Sequence, residues 1–169
     1  EPLPILQQSI KLGGRQMSRH LKAYLFDDKK IVDVYAVIDI DETDHETDNV
    51  IYKLPIAEGC FVNSSCKFDE CILLQSIGRE DKNNEELFTE DIIMTDAITS
   101  ARGTCGIYSI WIDSKCTVFI KDFMTGENFI ASSVDDAVWH HEVERIGSIY
   151  ELDCTELKKL AEEAMEAKK

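Results

Sequence analysis

Nowhere in this chain is there an apolar run of the ~20 residues that a membrane-spanning helix requires. The longest apolar tracts, such as Cys71-Ile72-Leu73-Leu74, are strand-sized. Positive charge is also scarce, with 18 Lys and Arg against 33 Asp and Glu, a net charge of −15. That balance excludes nucleic acid as a partner, because phosphate recognition needs a clustered basic surface. Prolines number only three, and no repeat or low-complexity tract breaks the sequence, so collagen-like and disordered classes fall away. The composition is that of one globular domain over residues 1–169.

Catalytic signatures are missing as well. There is no Gly-x-Ser-x-Gly nucleophile turn, no His-Glu-x-x-His and no glycine-rich phosphate loop. Gly13-Gly14 is a turn. Successive cysteines are separated by 5, 4, 33, 10 and 37 residues, a spacing that offers no zinc site. The chain is therefore read as a non-enzyme, with no catalytic residue, no metal and no cofactor beyond a bound lipid or pigment.

Against these absences stand six cysteines, Cys60, Cys66, Cys71, Cys105, Cys116 and Cys154, the first three within twelve residues. Among them lies Asn63-Ser64-Ser65, the one Asn-x-Ser/Thr acceptor in the chain. An even cysteine count beside a glycan acceptor predicts a secreted, extracellular, disulfide-stapled domain with a glycan on Asn63. The start at Glu1, without Met or an apolar leader, is read as a mature form. Each bridge would stabilise by ~2–4 kcal/mol. The odd count in 60–71 forces at least one bridge into the 105–154 half. A short loop within 60–71, with Cys154 tying the C-terminal helix to the sheet, is the favoured arrangement.

The periodicities predict an α+β fold, an antiparallel sheet with helices at both chain ends. Met17, Leu21, Tyr24 and Leu25 fall at helical spacing and predict a helix over 15–26, with Arg15, Arg19 and Lys22 on another face. Residues 1–30 carry a balance of +3 and the remainder −18, so this basic segment is expected to lie on an acidic body rather than on anionic lipid. Strands are expected over 31–40, 49–56, 68–77 and 146–152. Residues 79–86 read as a solvated loop, and 87–100 fits helix or strand. Ser133 to Asp136 open a short helix with Val134, Ala137, Val138 and His141 inward. Thr155 to Lys168 form the last helix, with Leu157, Leu160, Ala161 and Met165 on one face.

Residues 105–112 and 116–123 form the clearest hairpin. A two-residue turn at Asp113-Ser114 would set Cys116 opposite Trp111 and leave Cys105 ~20 Å away. A disulfide needs Cα atoms within about 7 Å, so a Cys105–Cys116 bridge is excluded by that register. The same register puts Ile107, Trp111, Val118 and Ile120 on one face and Tyr108, Ile110, Ile112, Phe119 and Phe123 on the other. One face makes the core; the second calls for a helix, a ligand or a partner subunit. Two polar clusters have simpler readings. Asp39 to Asp48 departs from the EF-hand template, with Asp44 at the glycine position and Val50 at the closing Glu, and reads as a solvated hairpin tip. His140, His141, Glu142 and Glu144 read as helix and core residues rather than a metal or acid–base site.

Together these readings predict a secreted, glycosylated, disulfide-stabilised binding protein. It would carry a small apolar ligand or pack as a subunit of an extracellular oligomer. The alternative is a storage or defence protein of the egg, saliva or venom type, without enzymatic activity.

Overall fold

The computed structural model describes residues 10–12, 15–17, 20–38, 49–98 and 105–167. Gly13-Gly14 and the acidic run 39–48 lie outside the described residues. The chain divides into two compact units, Glu1–Gln75 and Ser76–Lys169. The expected α+β arrangement with a helix at each chain end is corrected: among the described residues antiparallel strands dominate, and both α-helices belong to the second unit.

In the first unit β1 (Ile10–Leu12) pairs antiparallel with β2 (Arg15–Met17). Then β3 (Leu21–Leu25), β4 (Lys30–Ile38), β5 (Asn49–Ala57) and β6 (Cys60–Lys67) follow as a meander, and the start of β7 (Cys71–Glu80) returns to pair with β3. Arg15–Met17 and Leu21–Leu25 are thus strand where a helix over 15–26 is expected. The physical reason lies in the partners of β3. Ala23 and Leu25 alternate inward and are buried with Val32, Val50, Tyr52 and Cys71, while both edges of β3 are hydrogen-bonded by β4 and β7. Five residues fit either a helical or a strand template, and tertiary pairing decides between them. Arg15 and Lys22, on β2 and β3, do not form the basic helical stripe.

In the second unit the end of β7 pairs with β8 (Glu86–Phe88). A five-stranded antiparallel sheet follows, in the order β12-β11-β10-β9-β13. Its strands are β9 (Asp91–Met94), β10 (Ile107–Ile112), β11 (Val118–Asp122), β12 (Asn128–Ile130) and β13 (Glu144–Ser148). Each face of this sheet is packed differently. On one, Ile93, Tyr108, Ile110 and Ile120 enclose Trp139 of α1 (Asp136–Glu142). On the other, Ile92 and Ile107 meet Leu157 and Ala161 of α2 (Cys154–Glu166).

Both helices are capped by the preceding acid. The Asp135 carboxylate accepts from Ala137 N–H at 2.8 Å, and that of Asp153 from Thr155 N–H at 2.7 Å. α1 does not bury His141, which is exposed together with His140; its inward residue is Trp139. Among the described residues no helix is long and apolar enough to cross a membrane.

The β10–β11 hairpin is the decisive local correction. Its register pairs Tyr108 with Asp122, Ile110 with Ile120 and Ile112 with Val118, so the connection is the five residues 113–117 rather than two. Asp113 builds this longer loop: its Oδ1 accepts from Lys115 N–H at 2.9 Å and from Thr117 N–H at 2.8 Å. Cys116 sits in the loop with φ 62, off the strand. A slip by an odd number of residues turns every β11 side chain to the other face.

Candidate functional site

The corrected register redistributes the expected binding face. Tyr108 and Ile110 are fully buried in the core beneath Trp139, and Ile112 shares their side half-buried. Phe119 and Phe123 point to the opposite side. There Phe123 packs beside Ile107 in the α2 cluster. Phe119 instead lies directly between Trp111 of β10 and Ile130 of β12. These three side chains stand abreast across neighbouring strands.

The Trp111 and Phe119 rings are stacked, 4.6 Å between centroids and 16° between planes. Trp111 Nε1–H donates to Asn128 Oδ1 at 3.1 Å, which fixes the indole over the sheet. Ile130 is 47% exposed. Beyond Ile130 a cleft of about 230 Å³ is lined by Ile77, Arg79, Cys116, Val118, Ile130 and Ala131. Trp111 and Ile130 are the members of this row that the sequence reading missed. The signal that finds them is the Asx-type loop at Asp113, which sets the register.

No two of the six cysteines lie at disulfide-bonding distance. Cys60 is exposed at the start of β6, Cys66 and Cys71 flank a three-residue 3-10 turn at 68–70, and Cys116 is half-buried in its loop. Cys105 is buried; its N–H donates to Asp122 Oδ2 at 3.0 Å and its thiol to the Ile107 carbonyl at 3.2 Å. Burial pushes the Cys105 thiol up from its ordinary value, the mark of an unreactive side chain. Cys154 is exposed at the first turn of α2, and that helix packs on its sheet through Leu157 and Ala161. Asn63 is exposed on β6, opposite Lys53.

The remaining polar candidates resolve into supports for the backbone. His140, His141 and Glu142 are exposed on α1, and Glu144 on β13 pairs with Lys82. Among the described residues no group of three or more His, Cys, Asp or Glu is arranged to hold a metal ion. Three buried carboxylates not singled out in the sequence are already committed. Asp81 Oδ1 accepts from Asn83 N–H at 2.8 Å and Glu85 N–H at 2.9 Å, and its Oδ2 from Arg145 N–H at 2.9 Å. Burial alone would raise its pKa; these backbone donors outweigh burial and hold the carboxyl below its usual value. Asp91 accepts from Phe88 N–H at 2.8 Å and faces Arg145 Nε at 3.0 Å. Asp122 gathers the N–H groups of Cys105, Met124 and Thr125. Acids so occupied position loops.

The YopX protein family matches residues 22–153, and the chain belongs to that family. The crystal structure of a protein from Enterococcus faecalis is a loose structural likeness, 17% identical over 79% of this chain and 94% of its own, with a TM-score of 0.46. No curated protein matches in sequence.

Proposed function

We propose that this member of the YopX protein family is a non-enzymatic binding module whose second unit docks a basic protein partner on the Trp111–Phe119–Ile130 row. The observation that carries this reading is the row itself. Three large apolar side chains lie abreast on β10, β11 and β12, further along the strands whose Ile107 end is packed by α2. A lone exposed Leu or Ile is ordinary on any protein. A stacked Trp–Phe pair continued by an exposed Ile has the composition of an interface hot spot.

Charge selects the partner. The second unit holds 20 acidic and 10 basic side chains, a net −10, so a second copy is repelled and a basic surface attracted. The ligand-carrier reading draws less support. The side once expected to hold an apolar ligand is filled by Trp139, Leu87 and Val143. The neighbouring cleft, at about 230 Å³, falls short of the roughly 300 Å³ from which ligand pockets usually start. The storage or defence alternative rests on composition alone.

A labelled peptide alternating lysine with leucine and phenylalanine is a suitable probe, read by fluorescence anisotropy on the full chain. Saturable binding is expected, weakened about tenfold or more by Ile130→Ser, the change a hot-spot side chain produces. The same peptide with glutamate for lysine should not bind. Equal binding to the Ile130→Ser chain sinks the proposal. So does a dimer in light scattering that Ile130→Ser dissolves, which would give the face to a second copy.

A further inference from the structure

Cys66 lies near the end of β6 and Cys71 opens β7, with the 3-10 turn Phe68–Glu70 between them. Glu70 closes that turn by accepting from Lys67 N–H at 2.8 Å. The chain therefore doubles back, and both thiols enter one apolar cluster. Cys71 is buried there with Ala23, Leu25, Val32 and Val50, and Cys66 packs against the same group. The two thiols are near enough that each perturbs the other's titration. Cys60 has no such access to Cys66. It stands six residues back along the same strand, ~20 Å at the usual rise.

We propose that Cys66 and Cys71 are a reversible dithiol that closes to a disulfide by exchange with a low-molecular-weight disulfide such as glutathione disulfide. The Cys66 thiolate, the more accessible of the two, attacks one glutathione sulfur; a Cys66–glutathione bond forms and one glutathione leaves as thiolate. Cys71, deprotonated, then attacks the Cys66 sulfur and expels the second glutathione. The two protein thiols give up two electrons to the glutathione disulfide, and their two protons end on the two glutathione thiolates released. The product locks the β6–β7 turn onto the first unit's sheet.

Burial pushes the Cys71 thiol up to about 12, helped by Cys66, Glu70 and Asp69, and burial likewise raises Cys66. Both therefore rest as protonated thiols at neutral pH, and the exchange is slow until the disulfide pool rises. This inference is independent of the docking row, which lies in the other unit.

The test uses the full chain with Cys60→Ser, equilibrated in excess glutathione disulfide, alkylated and digested with trypsin without reduction. Cleavage after Lys53, Lys67 and Arg79 places Cys66 and Cys71 on separate peptides, 54–67 and 68–79. The two are expected to run joined, lighter by two hydrogens, in the majority of molecules. The thermal midpoint should rise by about 5 °C, return on reduction, and not rise in a chain that also carries Cys66→Ser. Glutathione adducts without the joined peptide, free thiols throughout, or a joined peptide with an unchanged midpoint would each overturn the proposal.

Discussion

Replacing Trp139 by alanine is expected to lower the stability of the protein by about 4 kcal/mol, the cost of emptying a large, fully enclosed site. Trp139 is the largest fully buried side chain, set among Leu87, Tyr108, Ile110, Ile120 and Val143. It is also what fastens α1. Seven residues are too few to hold a helix by propensity, so tertiary packing must hold it. Arg79 reinforces the anchor from β7, its guanidinium 5.8 Å from the indole ring and ion-paired to Asp136 on the same helix. Whole domains are stable by about 5–15 kcal/mol, so the loss is a large share of the total. Urea unfolding followed by circular dichroism measures it. Trp139→Phe keeps a ring in the site and should cost less than about 1.5 kcal/mol. A Trp139→Ala chain within about 1 kcal/mol of the parent would mean that α1 is fixed by something other than this side chain.

What the sequence reveals of this fold depends on how local the deciding interaction is. α2 is legible because its signals sit within one turn of each other: the Asp153 cap, then Leu157 and Ala161 at helical spacing. The helix expected at 15–26 fails because the interaction that decides Leu21–Leu25 comes from Ile72 and its neighbours, some fifty residues on. In the hairpin, the strands are evident but their register hangs on one side chain. Asp113 can begin a two-residue turn or, by capturing the N–H groups of residues 115 and 117, a five-residue one. The choice moves Phe119 from opposite Tyr108 to opposite Trp111, and with it the whole candidate face. The buried acids are the least legible. Nothing in a string of 20 acidic residues distinguishes Asp81 or Asp122 from a solvated carboxylate until the backbone N–H groups that surround it are in place.

Asp81→Ala is expected to cost about 3 kcal/mol at neutral pH and to flatten the loss of stability in acid. The carboxylate ties the 82–85 loop to β13, which lies 64 residues away, through Arg145 N–H. Removing it strands three backbone donors, each losing about 1 kcal/mol after partial relief by water, while the Asn83 amide loses only a long contact of 3.4 Å. Asp81→Asn separates charge from shape. Its amide oxygen can still accept from Asn83 and Glu85, but its NH2 group then opposes Arg145 N–H, for a loss of about 2 kcal/mol.

The pH dependence follows from the depressed pKa. The folded protein binds the Asp81 proton less tightly than the unfolded chain does. Its contribution is therefore complete above the unfolded value of about 4 and is lost as pH falls through the lower folded value. Urea midpoints taken from about pH 6 down to pH 2 should fall less steeply for Asp81→Ala than for the parent. A variant that is destabilised at neutral pH yet keeps the parent's acid slope would assign the slope to another carboxylate, with Asp91 against Arg145 the first to examine. In that case Asp81 would stabilise through hydrogen-bond geometry that survives its protonation.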